Sequence, residues 1–158
     1  KCRYNVFLWK NIRINGEMNM EIRYIDDVSK LKEEQLAGFF VGWPAHPDRR
    51  THLKILQQSY KAWVAMDGDR CVGFINALSD GFFYSYIPLL EVLPEYKGKG
   101  IGTKLVECMT ESLRNMYAVD IVCDEDVVPF YKDKGFIRCA GMVKRNYENQ
   151  GGGKKFSG

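Results

Sequence analysis

The amino-acid sequence predicts a single mixed α/β domain, and three observations lead to this prediction. The 158 residues are the usual length of one domain and short for two. Hydrophobic residues make up 46% and aromatic residues 13%, which is enough for a buried core and excludes a wholly disordered chain. Segments with strand-like alternation and segments with helical spacing follow one another along the chain, as they do in mixed folds.

The N-terminal part of the domain is predicted to form a strand and two helices. Residues 21–25 alternate like a strand. Ser29 is a favourable N-cap, and we expect a helix after it that ends at Gly42 and Pro44. The positions of that helix with helical spacing are Leu31, Gln35, Leu36 and Phe39. A second helix is expected to open at residues 47–48, a Pro-Asp pair.

Three strands are predicted in the middle of the chain. Residues 61–66 and 70–78 are apolar-rich and flank residues 67–69, an Asp-Gly-Asp turn typical of a hairpin. Residues 82–92 form the next strand, which contains Pro88. Because proline cannot donate a ladder hydrogen bond, we expect a bulge or a splay at that position.

The C-terminal part alternates helices and strands again. Residues 100–116 carry a clear apolar helical face, and residues 119–123 are typical of a buried strand. A short helix is predicted over residues 128–134 and ends at Gly135. Two closing strands are expected at residues 136–139 and 142–147.

The domain is expected to cover residues 20–147. Methionines at 18 and 20 stand just before the first strand, so residues 1–19 are interpreted as an N-terminal extension or a remnant of a cloning vector. Residues 148–158 are rich in glycine and are expected to form a flexible tail.

Charge and cysteine usage exclude several classes of protein. A net charge of +3 is too small for a general nucleic-acid binder, although it allows a local basic site. Five scattered cysteines and two histidines match no zinc-binding or disulfide pattern, so we expect no metal and reduced thiols. No apolar run approaches the roughly 20 residues that span a bilayer, and the start does not resemble a signal peptide. These features favour a cytoplasmic protein without membrane partners.

A glycine-rich turn between a strand and a helix is the most informative motif. Gly98, Gly100 and Gly102 alternate with other residues and lead directly into the helix. Glycine lets the backbone approach a ligand closely, and a helix start presents free N–H groups with positive potential, so the turn suits phosphate or pyrophosphate. Thr103 stands where a dinucleotide fingerprint needs glycine, and no P-loop pattern occurs. The alternative is a ligand-free strand–helix connection.

This turn and the strand before it resemble the GCN5-related N-acetyltransferase (GNAT) superfamily. The family signature is Gln/Arg-x-x-Gly-x-Gly/Ala after a strand that contains Leu-x-Val-x-Pro. Leu90, Val92 and Pro94 supply the strand, and residues 97–102 supply the turn. Lys97 departs from the Gln/Arg of the family signature; it keeps the positive charge of arginine but lacks its planar guanidinium group.

A second family signature lies downstream and strengthens the resemblance. The family pattern is Asn-x-x-Ala-x-x-Phe/Leu-Tyr-x-x-x-Gly-Phe. Its positions are occupied by Asp124, Val127, Phe130, Tyr131, Gly135 and Phe136. The last four match, whereas Asp124 and Val127 depart from the pattern. The resemblance covers residues 20–147 and implies the GNAT fold, a mixed, mostly antiparallel central sheet that is splayed at its fourth strand and flanked by helices.

The resemblance implies that acetyl-CoA is the cofactor and that its acetyl group moves directly to an amine. The implied cofactor contacts are Leu90, Val92, Lys97, Gly98, Lys99, Gly100, Ile101, Gly102, Thr103, Asp124, Phe130 and Tyr131. The N–H of Leu90 would face the thioester carbonyl. Tyr131 would protonate the leaving thiolate; in the alternative interpretation Tyr131 only packs the short helix. Glu91 is the first candidate for the base. The alternatives are a relay through Tyr84 and Tyr86 and the histidines of the acceptor region, His46 and His52.

The acceptor is expected to be a small-molecule amine bound under the helix–loop–helix region. Its candidate contacts are Phe39, Trp43, His52, Tyr84 and Tyr86, several of which would be ordinary core residues in the alternative interpretation. A protein lysine or N-terminus is the second candidate for the acceptor. A non-catalytic acyl-CoA-binding or sensor module is the candidate from another class of function. The prediction includes a homodimer as one option for the oligomeric state, and no nucleic-acid or membrane partner is expected.

Overall fold

The computed structural model describes residues 21–152 together with the strand at residues 7–8, and both terminal predictions lie partly outside these residues. One six-stranded sheet runs in the order β1-β2-β3-β4-β5-β6. The strands are β1 (Phe7–Leu8), β2 (Ile22–Ile25), β3 (Lys61–Asp67), β4 (Arg70–Ser79), β5 (Tyr84–Val92) and β6 (Ala118–Ile121). The α-helices are α1 (Arg49–Gln58), α2 (Ile101–Ser112) and α3 (Val128–Lys132).

The sheet is mixed and mostly antiparallel, which confirms the predicted fold class. Every neighbouring pair of strands is antiparallel except β5 and β6, which are parallel. The predicted turn joins β3 to β4 at Gly68, where the backbone takes a positive φ of 55°. Helices lie on both faces of the sheet, because α1 packs on Phe74 through His52 while α2 packs on Gly73.

The helix α2 approaches the sheet closely because Gly73 has no side chain. A Cβ atom at Gly73 would lie 3.1 Å from Leu105 Cδ1 and 3.2 Å from Ile101 Cγ2, which is closer than ordinary packing allows. Leu105 and Ile101 are both buried, so this contact anchors the first half of α2 on β4. The start of α2 is therefore held beside the end of β5, where the glycine-rich turn lies.

The predicted splay occurs at Pro88. The register of β4 with β5 shifts between Asn76 and Leu78, as expected for a bulge next to the proline. The parallel pairing of β5 with β6 ends at Ile87 and Ile121. Among the described residues, the rest of β5 pairs with β4 alone.

The helix predicted after Ser29 was wrong, because two 3₁₀ turns at Val28–Lys30 and Glu33–Gln35 replace it. Asp27 rather than Ser29 caps the first turn, since its carboxylate accepts the N–H of Ser29. The Gln35 amide oxygen accepts the Lys32 N–H at 2.9 Å. Such local side-chain bonds compete with the helical pattern and keep the segment in separate turns.

The two predicted closing strands, residues 136–139 and 142–147, were also wrong. Residues 136–146 have no regular secondary structure, and a 3₁₀ turn follows at Tyr147–Asn149. Large apolar side chains such as Ile137 and Met142 are exposed there. Alternating side chains favour a strand, but a strand exists only where a neighbour supplies backbone hydrogen bonds.

Candidate functional site

The glycine-rich turn leaves open space at the start of α2. Gly98 and Gly100 have positive φ angles of 74° and 79°, which favour glycine. Apart from the glycine and its chain neighbours, no described atom lies within 4 Å of where a Cβ would stand at either residue. Gly100 is the N-cap of α2 and no side chain caps the helix. The first N–H groups of α2, at residues 101–103, therefore have no acceptor in a preceding helical turn and face the space beside the glycines.

Two lysines add positive charge to this turn. Lys97 follows a 3₁₀ turn at Pro94–Tyr96, and Lys99 lies between the two glycines with positive φ. The Lys99 ammonium stands 5.2 Å from the centre of the Tyr96 ring. The helix start, the two cations and the exposed backbone together form an anion-binding arrangement.

The open edge of β5 lies directly before this turn. The N–H of Leu93 donates to the Val72 carbonyl at 2.9 Å, so the backbone of Leu93 points toward β4. In an antiparallel ladder successive residues point to opposite sides, which directs the N–H and C=O groups of Leu90 and Val92 away from β4. Because β6 pairs only as far as Ile87, these groups can accept an added strand-like ligand.

Phe130 of the second family motif lies close to Gly102 of the glycine-rich turn. A Cβ atom at Gly102 would lie 3.7 Å from Val92 Cγ2 and 3.8 Å from Phe130 Cζ. The end of β5, the start of α2 and the helix α3 therefore converge at one point. The Lys134 ammonium stands 3.6 Å from the centre of the Phe130 ring and supports its position by a cation–π contact.

Tyr131 is buried in α3 between two aromatic rings. Its ring centre lies 4.9 Å from that of Phe130 and 5.6 Å from that of Phe136. Burial, and to a smaller extent the neighbouring Cys123 thiol, raise the pKa of Tyr131 to about 12. The hydroxyl therefore keeps its proton throughout the physiological pH range and remains a hydrogen-bond donor.

Asp124, which departs from the family pattern, is exposed at the start of a 3₁₀ turn, Glu125–Val127. Its carboxylate does not cap that turn. Its main-chain carbonyl accepts the N–H of Val127 at 3.0 Å, so the backbone of Asp124 shapes the entry to α3.

The carboxylate of Glu91 binds the backbone of a loop from another part of the chain. One oxygen accepts the N–H of Phe40 at 2.9 Å and the other accepts the N–H of Val41 at 3.2 Å. Phe40 has a φ of 63°, which is strained for a residue with a side chain. Glu91 therefore holds this loop in an unusual conformation. The amino-acid sequence gives no signal of this tether, because the two groups are 51 residues apart.

The loop held by Glu91 borders a cavity of about 600 Å³. The cavity is lined by Leu36, Gly38, Phe39, Phe40, Val41, Gly42, Trp43, His46, Pro47, Asp48, Arg49 and His52. Three of the predicted acceptor contacts, Phe39, Trp43 and His52, thus share one cavity. The lining does not include the other two, Tyr84 and Tyr86.

Tyr84 lies apart from the cavity and binds β6 instead. Its hydroxyl donates a hydrogen bond to the carboxylate of Asp120. Tyr84 is six residues before Leu90 on the same strand, a separation of about 20 Å at the usual rise per residue. Tyr86 stands opposite Asp120 in the parallel pairing, nearer to the splay.

His52 is the buried polar side chain of this cavity. It is only 1% exposed, and neither ring nitrogen has a hydrogen-bond partner within the described part of the chain. The rings of Phe39, Phe40 and Phe74 surround it, with centres 5.3, 4.9 and 4.4 Å away. Burial lowers the pKa of His52 to about 4, so the imidazole is neutral at pH 7.

His52 should make the stability of the fold depend on mildly acidic pH. Its pKa in the folded protein is below the ordinary value of 6.5, so the unfolded chain binds the proton more tightly. The stabilisation is complete above pH 6.5 and is lost as the pH falls toward 4, with a total of about 3 kcal/mol. Urea unfolding between pH 7.5 and 4.5 measures this slope.

The matched variant for this measurement is His52→Phe, which keeps an aromatic ring and removes the titrating group. We expect the variant to lose most of the slope between pH 6.5 and 4.5. The carboxylates with lowered pKa values, such as Asp80, titrate below this window in both proteins. Equal slopes in the two proteins would show that His52 is not buried as a neutral ring.

Neither a membrane span nor a metal cluster occurs in the described part of the chain. None of its helices combines the length and apolar character needed to cross a bilayer. No group of three or more histidine, cysteine, aspartate or glutamate side chains in residues 21–152 is arranged to hold a metal ion.

Comparison with known proteins identifies close similarity to acetyltransferases. Residues 28–136 match the family described as Acetyltransferase (GNAT) family. A crystal structure of a Deinococcus radiodurans R1 protein designated an acetyltransferase is 39% identical, with a TM-score of 0.80, and the match covers 82% of this chain and 92% of that chain.

Two curated relatives match over shorter stretches. The uncharacterized N-acetyltransferase ycf52 of Pyropia yezoensis is 28% identical over 109 residues, which is 66% of this chain and 63% of that protein. The N-alpha-acetyltransferase 30 of Schizosaccharomyces pombe is 33% identical over 86 residues, 49% of this chain and 57% of that protein. The chain spans about three fifths of the length of these curated relatives.

Proposed function

The chain belongs to the acetyltransferase (GNAT) family, and from this membership we propose that it transfers an acetyl group from acetyl-CoA to a primary amine of a small molecule. The observation that carries the proposal is the open glycine turn at the start of α2, which adjoins the unpaired edge of β5. An anion site beside a free strand edge suits a ligand with a pyrophosphate at one end and amide groups in its middle.

The residues around the turn fit this ligand. The backbone at Gly98 and Gly100 has room for phosphate oxygens, and the N–H groups at the start of α2 can donate to them. Lys97 and Lys99 would add charge. The main-chain groups of Leu90 and Val92 would pair with amide groups, while Ile101, Thr103, Asp124 and Phe130 would border the bound molecule. When bound, acetyl-CoA supplies the acetyl group as a thioester.

The protein's own groups would then stabilise the charge that develops on the thioester and transfer the protons. The N–H of Leu90 would donate to the thioester carbonyl and stabilise negative charge on its oxygen. The leaving sulfur must gain one proton, and the Tyr131 hydroxyl is proposed as its donor. Because an ordinary thiol has a pKa near 8.5, full transfer from Tyr131 is uphill. An ammonium acceptor loses two protons when it becomes an amide; one of them would restore the phenol and the other would leave through Glu91.

Glu91 is proposed to help remove the proton from the acceptor amine through a water molecule. Each of its carboxylate oxygens accepts one backbone N–H and keeps a second lone pair for that water. Glu91 stands between Leu90 and Val92, beside the proposed position of the thioester. The same carboxylate positions the loop at Phe40 and Val41, so Glu91 would serve the acceptor site in two ways.

A protein N-terminus is the second candidate for the acceptor. The relative from Schizosaccharomyces pombe is named as an N-alpha-acetyltransferase, and this favours keeping the alternative. The cavity lined by Phe39, Trp43 and His52 supports the small-molecule acceptor, because its volume of about 600 Å³ suits a compact molecule.

Release of free thiol from acetyl-CoA tests the proposed function. The full chain is incubated with acetyl-CoA and either a panel of small amines or peptides with free N-termini. Acetylation of small amines, identified by mass, supports the proposal, whereas transfer to peptides alone supports the protein acceptor. Binding of CoA without transfer to any amine would indicate an acyl-CoA sensor, the candidate from another class.

Replacing Glu91 with Gln should slow acetyl transfer by about 10- to 100-fold at neutral pH. Glutamine preserves the size of the side chain but is not basic. The rate should recover partly as the pH rises, because free amine then becomes abundant. A pH–rate profile of kcat with a fixed small amine measures the effect.

The same variant also weakens the loop tether, because a glutamine amide offers one acceptor oxygen to two N–H groups. The two roles separate in the kinetics. Loss of the base lowers kcat in a pH-dependent manner, whereas loss of the tether raises the KM for the amine at every pH. A parent-like pH profile for kcat would remove Glu91 from the proton path and leave only its positioning role.

A further inference from the structure

Large apolar side chains of the described part of the chain cluster on the surface at one end of the sheet. The hairpin between β4 and β5 contributes Phe82 and Phe83, and Tyr117 directly precedes β6. The strand pairings place the start of β3 beside the end of β4, and the start of β6 beside the start of β5. The exposed side chains of this cluster, called the hairpin patch, are Tyr60, Leu78, Phe82, Phe83, Tyr84 and Tyr117.

Contacts between neighbouring elements make the hairpin patch continuous. The rings of Phe83 and Tyr117 stack with centres 4.6 Å apart and planes inclined by only 16°. A Cβ atom at Gly81 would lie 3.5 Å from Tyr60 Cε2, so the ring of Tyr60 borders the hairpin. The apolar surface therefore extends from the start of β3 across the hairpin to the start of β6.

The hairpin that presents the patch is held in place by hydrogen bonds. One carboxylate oxygen of Asp80 accepts the N–H groups of Phe82 and Phe83, each at 2.8 Å. The N–H of Tyr117 donates to the Phe83 carbonyl at 3.0 Å and ties the hairpin to the segment before β6. A surface that is already ordered loses little conformational entropy when a partner covers it.

The area of the hairpin patch matches what one partner contributes to a stable protein interface. A fully exposed Phe or Tyr presents about 200 Å², so the six side chains together expose on the order of 700 Å². The largest apolar patch on a typical monomer is about 300–600 Å², whereas each partner of a standard interface buries about 800 Å². The area therefore favours a protein partner over permanent exposure to water.

The charges around the patch disfavour a lipid surface as its partner. Two carboxylates lie at the patch, because Asp80 caps the hairpin and Asp120 accepts the hydroxyl of Tyr84. The nearby cations Lys61 and Arg114 each pair with an acidic side chain of the same chain. Anionic membranes attract clusters of basic residues, and the patch instead places acidic groups beside its rings.

We propose that the hairpin patch is the interface of a homodimer, in which a second copy of this chain covers the patch about a two-fold axis. Such an interface brings the same surface of both copies together, so the patch must be complementary to itself. Flat rings meet this condition, because the stacked pair Phe83 and Tyr117 can pack offset or edge to face against the same pair of the other copy.

This dimer would leave both proposed active sites open. Strand β5 runs from Tyr84 at the patch to Val92 before the glycine-rich turn, a distance of about 25 Å at the usual rise per residue. The inference concerns assembly and goes beyond the proposed acetyl transfer. Its test needs no acetyl-CoA, so its failure would leave the proposed function untouched.

Analytical ultracentrifugation of the full chain tests the proposal. We expect the mass to rise with concentration from the monomer value of 18.2 kDa to twice that value. Phe82→Lys should raise the Kd of the dimer by about 100-fold or more, because each substitution acts twice across a two-fold interface. Phe82 is 87% exposed, so the lysine should leave the folding of the monomer unchanged. Tyr117→Lys makes the same test if Phe82→Lys does not fold.

Ile137→Lys is the matched control, because Ile137 is 85% exposed and the substitution adds the same charge. Ile137 lies on residues 136–146, which expose further apolar side chains but have no regular secondary structure. Ordering that segment on association would cost entropy, so we expect Ile137→Lys to keep the Kd of the parent.

Three results would overturn the proposed interface. The first is a parent that keeps the monomer mass above about 100 µM, because interfaces of standard size bind at micromolar concentrations or below. The second is a dimer that Ile137→Lys dissociates and Phe82→Lys does not, which would place the interface on residues 136–146. The third is a monomeric parent that sediments with phosphatidylserine vesicles while Phe82→Lys does not, which would assign the patch to a lipid surface.

Discussion

Replacing Gly100 with Asp is expected to lower the affinity for CoA by about 100- to 1,000-fold while the protein remains folded. Gly100 is the N-cap of α2, and its missing Cβ faces open space where a phosphate would approach. An aspartate fills that space and places a negative charge within about 4 Å of another, a repulsion of a few kcal/mol at a protein surface. Isothermal titration calorimetry with CoA measures the loss.

Gly68→Asp is the matched control for Gly100→Asp. Gly68 also has a positive φ, of 55°, and no described atom beyond its chain neighbours lies within 4 Å of its missing Cβ. It lies in the β3–β4 turn, away from the start of α2. The control should therefore show a comparable backbone strain and a similar fall in thermal stability, with unchanged CoA binding. Undiminished CoA binding by Gly100→Asp would refute the assignment of the glycine turn.

Replacing Tyr131 with Phe is expected to lower kcat by about 10- to 10⁴-fold with a much smaller effect on CoA affinity. Phenylalanine keeps the ring that packs on Phe130 and Phe136 and removes only the hydroxyl. Since the pKa of Tyr131 is about 12, the parent should show no loss of this donor below pH 10. Steady-state kinetics with saturating acetyl-CoA measure kcat.

Tyr117→Phe is the control for the loss of a phenol. Tyr117 is 78% exposed and stacks on Phe83 with ring centres 4.6 Å apart. Removal of its hydroxyl should leave kcat and thermal stability unchanged. If Tyr131→Phe also keeps the parent kcat, Tyr131 has a packing role and the leaving sulfur takes its proton from another donor.

Local sequence predicted the glycine turn and the splay because single residues impose them. Positive φ angles at Gly98 and Gly100 favour glycine, and Pro88 cannot donate to a ladder. The hairpin at Gly68 and the long helix α2 follow from turn chemistry and from a continuous apolar face in the same way. The order of these elements, with the two motifs, was sufficient to predict the fold class and the family.

Tertiary structure decided the elements whose formation depends on distant partners. The segment after Ser29 has helical spacing, yet its local side-chain bonds together with the long-range bond from Gln35 Nε2 to the Asp69 carbonyl hold it in separate turns. Residues 136–146 have the alternation of strands but no ladder partner among the residues that the structure describes. Residue spacing cannot show which backbone groups a folded neighbour will supply.

The candidate site likewise has one part that the sequence predicted and one part that depends on the tertiary structure. Most of the proposed cofactor side is contiguous, so residues 90–103 could be identified from their order, and Asp124, Phe130 and Tyr131 come from the second motif. Its acceptor side depends on contacts across the fold, because the carboxylate of Glu91 meets Phe40 and Val41, and Phe74 meets His52. These partners are separated by tens of residues, and only the closure of the sheet and α1 around one core brings them together. The sequence by itself determined the open glycine turn that is proposed to bind a pyrophosphate, because backbone conformation is local. Only the tertiary structure decided the shape and polarity of the cavity that is proposed for the acceptor, because burial depends on distant contacts.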